Sequence, residues 1–218
     1  MSIAYSETER NVVLDEFITP AGLVKAGVEL LYMLGFCGYS GMSVLDPGAN
    51  TGQWSNEVRF HFPNAAITGV EIMDNLPLPL SGAFNNFYVD DFLTWTTDEQ
   101  YDVVIGNPPY SDYRSGKRKT VADAFVEKSL NLLKPDGFLI FLLRRNFACG
   151  VKRNTSGVLK TNPFRYEYRC VRRPSFSVED TRYLDGRKKT NAHDYSIFIW
   201  HNTDGYFESI SRPLFWKY

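Results

Sequence analysis

Cysteine is scarce in this chain: three residues in 218, Cys37, Cys149 and Cys170, an odd number without CxxC spacing. That excludes a disulfide framework and a cysteine-ligated zinc site, and no metal is expected. No apolar run approaches the roughly 20 residues of a membrane span. The N-terminus, Met1-Ser2-Ile3-Ala4-Tyr5-Ser6-Glu7, lacks the basic-then-apolar pattern of a signal peptide. These absences predict a cytoplasmic protein without a membrane partner. Cations are nearly missing from one half. Residues 1–110 hold 3 Lys/Arg against 14 Asp/Glu, a net of −11, whereas residues 111–218 hold 21 against 11, a net of +10. The formal net charge of −1 conceals this division, which points to a polyanionic partner on one side of the molecule.

What is present is a strand-helix alternation. Pro20–Phe36 carries apolar residues at helical spacing, with Thr19 as a cap, Pro20 in the first turn and Gly35 and Gly38 as its stop. Ser43–Asp46 reads as a strand running into a glycine-containing turn, followed by a helix over Gly52–Phe62. Ala66–Ile72, Asn86–Val89 and Tyr101–Gly106 read as three further strands. Val121–Leu133 reads as a helix, Lys134–Gly137 as a turn, Phe138–Leu143 as a buried strand and Ser196–Trp200 as a late one. The pattern predicts an α/β fold with a mostly parallel sheet and helices on both faces. Two basic stretches, Ser111–Thr120 and Ala148–Asn191, give no periodic signal.

Three features fall at the carboxyl ends of predicted strands, where open α/β sheets bind ligands. Asp46-Pro47-Gly48-Ala49-Asn50-Thr51-Gly52 follows the first strand, and glycine there lets a ligand approach the backbone. Glu71 ends the second strand, placed to accept hydrogen bonds from ribose hydroxyls. Asp90-Asp91-Phe92 ends the third, placed to meet an adenine ring. The turn lacks Gly-Lys-Ser/Thr and this half is acidic, which disfavours a phosphate-rich ligand and suits a cationic sulfonium. After the fourth strand comes Asn107-Pro108-Pro109-Tyr110.

This order of motifs resembles the class I S-adenosylmethionine-dependent methyltransferases, specifically the adenine-N6 DNA methyltransferases of the gamma arrangement. The resemblance covers about residues 15–145, with a looser match at 193–200. It implies a Rossmann-like, seven-stranded, mostly parallel sheet forming a single methyltransferase domain over 1–218. It also implies S-adenosyl-L-methionine as cofactor, with Thr19 and Pro20 at its methionine carboxylate. Asp46, Gly48 and Gly52 would frame the methionine part, Glu71 would hold the ribose and Asp91 with the backbone of Phe92 the adenine, with Asn50 and Ile72 also among the cofactor-binding residues. Asn50 stands where the family usually has glycine or another small residue; Asn tolerates left-handed backbone angles, so the turn survives.

In the tetrapeptide two prolines fix two φ angles and remove two N–H donors, leaving a rigid loop with free carbonyls. A target amino group has two hydrogens, and the Asn107 side-chain oxygen and the Pro108 carbonyl can accept one each. The nitrogen lone pair is then aimed for in-line displacement, in which positioning supplies much of the acceleration. Tyr110 offers a face on which the base stacks. A base in a duplex reaches such a pocket only when flipped out.

Arg114, Lys117, Arg118 and Lys119 follow the tetrapeptide at the mouth of the predicted site, suited to flanking phosphates. From Arg144 to Lys189 there are 13 Lys/Arg against 4 Asp/Glu, with aromatics interleaved. Segments 111–120 and 148–191 are therefore candidate target-recognition insertions. Arg172 and Arg173 resemble a stretch near a later family motif, and Tyr195 and Phe198 are candidates to pack against the flipped base. His193, beside Asp194, reads as structural.

The leading expectation is methyl transfer to the exocyclic amino group of adenine in DNA. RNA is the second partner, with adenine-N6 or guanine-N2 as the target. A protein glutamine methyltransferase and a catalytically idle nucleic-acid-binding module are the alternatives of other classes. A homodimer stays open.

Overall fold

The computed structural model describes residues 18–36, 41–73, 82–112, 117, 119–174, 176, 193–204 and 208–217. Strands β1 (Ser43–Pro47), β2 (Ala66–Glu71), β3 (Asn86–Val89) and β4 (Tyr101–Gly106) alternate with helices α1 (Ala21–Met33) and α2 (Gln53–His61) through the first half. A short ribbon, β5 (Ser111–Asp112) with β6 (Lys119–Thr120), leads into α3 (Ala122–Asn131) and β7 (Leu133–Arg144). Two short helices follow, α4 (Val151–Thr155) and α5 (Val158–Thr161), and then β8 (Tyr166–Cys170), β9 (Tyr195–His201) and β10 (Ile210–Leu214).

The main sheet has eight strands, in the order β10-β8-β9-β7-β4-β1-β2-β3. That is one strand more than expected. All pairs are parallel except those of β9 with β7 and with β8. β8 falls within Ala148–Asn191, where periodicity gave no signal, and β10 in a segment for which no element was predicted. The predicted turn at Lys134–Gly137 is instead a bulge inside β7. Tyr101 pairs with Leu133, Val103 with Phe138, and the residues between are looped out with Asp136 at φ +60°.

Strand alternation builds two cores. Val44, Ile67, Val103, Ile105, Ile140, Leu142, Ile197 and Ile199 face α1 and α2. Leu45, Val70, Val104, Leu139, Phe141, Leu143, Phe198 and Trp200 face α3 and α5. Helices thus cover both faces, as predicted. Among the described residues no helix is long and apolar enough to cross a membrane.

Because β1, β2, β3, β4 and β7 run the same way, their carboxyl ends share one edge of the sheet. Gly48, Asp90, Asn107 and Arg144 all emerge there.

Candidate active site

The turn after β1 is held by backbone geometry. Gly48, Asn50 and Gly52 have φ of +72°, +48° and +79°. A Cβ at Gly48 would sit 3.3 Å from Pro109 Cδ, so this glycine lets the turn press against the tetrapeptide loop. The Asn50 side chain does not obstruct the turn, because its Oδ1 folds back to accept the Thr51 N–H at 2.6 Å. Glu71, 5% exposed, accepts the Asn50 N–H at 2.8 Å and the Met73 N–H at 3.1 Å.

Asp46 lies under this turn, 1% exposed. Its Oδ2 accepts the Ser55 hydroxyl at 2.7 Å, and its Oδ1 receives no hydrogen bond from any described residue. Burial pushes its pKa up to about 7, the Ser55 hydrogen bond opposing and the neighbouring Glu71 carboxylate adding to the rise.

Beside the turn an open cavity of about 670 Å³ is lined by Gly48, Asn50, Glu71, Ile72, Asp91 and Phe92, while Asp46 and Gly52, like Thr19 and Pro20, are not part of its lining. The sequence had not singled out Ser111, Asp112, Val121 and Phe125, which complete the wall. Phe92 packs on Phe125 with centroids 5.0 Å apart, and Asp91 Oδ1 accepts the Leu93 N–H. A second, smaller hollow of about 240 Å³ is lined by Asn107, Pro108, Tyr110, Leu142, Leu143, Arg144 and Tyr195. Asn107 lines both. One carboxamide therefore stands between an acidic cavity and a hollow walled by aromatic and cationic side chains.

Thr19 and Pro20 depart from their expected places. Thr19 does not cap α1, which has no side-chain cap, and Pro20 precedes the helix rather than opening its first turn. The Thr19 hydroxyl oxygen instead accepts Asn107 Nδ2 at 3.2 Å and Trp54 Nε1 at 3.4 Å.

Tyr110 is more enclosed than a bare stacking platform. The Arg144 guanidinium lies 4.5 Å from its ring centroid, and its hydroxyl reaches Asn146 Oδ1 at 3.4 Å. Arg153, which helps hold Tyr110, is paired with Asp123. The fold brings Tyr195 to the second hollow but withholds Phe198. Phe198 is fully buried, packed against Phe147, Phe164 and Trp200. The reason is strand parity: three residues along β9 place it on the opposite face, about 10 Å deeper. Phe198 is thus a core residue.

The described basic candidates lie at the same edge. Lys119 on β6 pairs with Asp112 on β5, which itself lines the large cavity, so the ribbon stands at its mouth. Lys119 and Lys117 are exposed; Arg114 and Arg118 lie outside the described residues. Arg172 and Arg173 follow the end of β8 and are exposed, Arg173 pairing with Asp194 at 2.8 Å.

The family model for the Eco57I restriction-modification methylase matches residues 53–162. Modification methylase CviBIII from Paramecium bursaria Chlorella virus NC1A is 33% identical over 117 residues, 47% of this chain and 31% of that protein. Type II methyltransferase M.TthHB8I from Thermus thermophilus is 30% identical over 151 residues, 57% of this chain and 33% of that protein. The chain thus spans a third or less of the length of these relatives. Among solved structures, a Listeria monocytogenes protein assigned to the class I S-adenosylmethionine-dependent methyltransferases superposes with a TM-score of 0.68 at 19% identity, covering 90% of this chain and 65% of that one. A Pyrococcus horikoshii protein assigned as an RNA methyltransferase gives 0.64 at 20%, covering 92% and 94%. The fold is that of the class I methyltransferases, and with half of its length matched by the family model, this chain belongs to the Eco57I restriction-modification methylase family.

Proposed function

We propose that this chain transfers a methyl group from S-adenosylmethionine to the exocyclic amino group of adenine in DNA. The observation that carries the reading is Asn107, which lines both the acidic cavity and the aromatic hollow.

The large cavity fits the cofactor. Glu71 ends β2 on the cavity wall, where its carboxylate can accept hydrogen bonds from ribose hydroxyls. Ile72, Asp91, Phe92 and Phe125 supply apolar and acceptor surface for an adenine ring. The carboxylates on the cavity wall, Glu71, Asp90, Asp91 and Asp112, favour a ligand bearing positive charge. When bound, the cofactor supplies an electrophilic methyl group on a sulfonium.

The chain's own residues do the rest. Asn107 Oδ1 and the Pro108 carbonyl accept the two hydrogens of the target amine and turn its lone pair toward the cavity. No strong base is needed before attack, since the proton leaves afterwards to water. Tyr110 and Tyr195 flank the base from the hollow. DNA is favoured by membership of a restriction-modification family, and by the exposed cations Lys117, Lys119, Arg145, Lys152, Arg172 and Arg173.

Methyl transfer from labelled cofactor to DNA, RNA and protein, followed by identification of the methylated base, tests the reading. Labelled N6-methyladenine in DNA is the expected product. Asn107→Ala should abolish transfer while cofactor affinity stays nearly unchanged; an equal loss of cofactor binding overturns the role given to Asn107.

A further inference from the structure

A carboxamide has an acceptor end and a donor end, nearly equal in shape. Only Oδ1 of Asn107 can receive the hydrogens of an amine; Nδ2 in its place would set donor against donor. Something must therefore decide which end faces the hollow. Asn107 follows the last residue of β4 on a loop, and the neighbouring prolines stiffen its backbone but do not reach its χ2 torsion.

The group in contact with the donor end is Thr19, 88 residues earlier in the chain. Its hydroxyl oxygen is buried, the residue being 3% exposed, and it accepts Asn107 Nδ2 at 3.2 Å. The same oxygen is approached at 3.4 Å by Trp54 Nε1, which can only donate. Trp54 is itself immobilised: it is 3% exposed, and its ring packs so closely on Gly27 of α1 that a Cβ there would lie 2.6 Å away. The Thr19 oxygen is thus held by two elements packed against each other, α1 and α2, and presented to the catalytic loop.

We infer that Thr19 is a positioning residue, holding the Asn107 carboxamide with Nδ2 against its own hydroxyl and Oδ1 free for the target amine. This rests on the reading that Asn107 receives that amine. It assigns Thr19 to the acceptor machinery rather than to the methionine carboxylate of the cofactor.

Thr19→Val keeps the volume and β-branching and removes the oxygen; Thr19→Ser keeps the oxygen. Three measurements separate the roles: kcat for transfer to DNA, affinity for S-adenosylhomocysteine by calorimetry, and the side-chain amide resonances of Asn107 in ¹⁵N spectra, assigned by their disappearance in Asn107→Ala. For Thr19→Val the expected result is a kcat loss of about 10- to 100-fold, the scale of a misplaced reacting group. Affinity for S-adenosylhomocysteine should stay nearly at the wild-type value, the Asn107 resonances should shift, and Thr19→Ser should restore both kcat and resonances. Wild-type kcat and unmoved resonances in Thr19→Val would overturn the inference. So would a loss of S-adenosylhomocysteine affinity matching the loss of kcat with the resonances unmoved, which would return Thr19 to the cofactor. Should Thr19→Val fail to fold, Thr19→Ala carries the same three measurements. If the wild-type protein methylates no nucleic acid, the functional reading fails, while the resonances in Thr19→Val still decide whether Thr19 holds Asn107.

Discussion

The guanidinium of Arg144 covers one face of the Tyr110 ring, 4.5 Å from its centroid. Arg144 is the last residue of β7 and pairs in register with Tyr195, the first of β9, so both reach the second hollow from adjacent strands. A base that stacks on the covered face must displace the arginine, and a displaced guanidinium at the rim of the site is well placed for a backbone phosphate.

Substitutions at this pair should therefore separate stacking from charge. Tyr110→Phe keeps the ring and should retain most of the transfer rate. Tyr110→Ala should weaken DNA binding by between about 5- and 150-fold, the range spanned by ~1–3 kcal/mol of base stacking. Arg144→Gln should weaken binding across sequences and reduce the slope of log K against log salt by about 1. Fluorescence anisotropy over a potassium chloride series measures both. An unchanged slope in Arg144→Gln would show that the arginine stays on the tyrosine when DNA is bound.

Asp46 makes the stability of the cofactor-free protein depend on pH. Burial raises its pKa from 3.8 to about 7, with Glu71 adding to the effect against the Ser55 hydrogen bond. Well below its unfolded pKa of 3.8 the group is protonated in folded and unfolded chains alike. Between about pH 4 and 7 the unfolded chain loses this proton while the folded one retains it, so Asp46 subtracts stability progressively as pH rises, and the loss is complete above 7. Asp46→Asn keeps an acceptor for Ser55 and cannot ionise. Its melting temperature should exceed that of the wild type at pH 8, with the gap narrowing toward pH 4, as thermal denaturation across that range would record. Parallel curves would show that Asp46 does not titrate in this window.

The large-cavity side of the candidate site is legible in sequence because it is written locally. A glycine-containing turn after a strand, an acid at the end of the next strand and a proline-stiffened tetrapeptide each depend on backbone preferences within a few residues. The acceptor side depends on partners far apart. β8 reads Tyr-Glu-Tyr-Arg-Cys, and its buried Glu167 is accommodated only because Ser196 and Ser211, 29 and 44 residues later, donate to its carboxylate. β10 is an edge strand that carries Pro213 and is mostly exposed, so it lacks an apolar signature. Thr19 reads as a helix cap because a Thr-Pro pair before an apolar run is a capping pattern; its true partner is Asn107. Tyr195 and Phe198 look equivalent in sequence, and only the start of β9 decides which of them faces the hollow.

Gly27 in the middle of α1 offers a test of how tightly the support behind Thr19 is packed. In an exposed helix, Gly→Ala would stabilise by about 1 kcal/mol. Here the new Cβ would meet Trp54 at 2.6 and 2.7 Å and Ile197 Cδ1 at 3.1 Å, and overpacking of a core costs typically ~1–3 kcal/mol. The clash outweighs the propensity, because an indole wedged between two helices has no free volume to enter. Gly27→Ala should therefore lower the melting temperature by a few degrees. It should also reduce methyl transfer more than S-adenosylhomocysteine affinity, since pushing Trp54 disturbs the oxygen that holds Asn107. Trp54→Phe makes room for the methyl group, so the double variant should be more stable than the sum of the two single changes implies. Simple additivity in that cycle would show that Gly27 and Trp54 are not coupled by contact, and the steric account of α1 against α2 would be wrong.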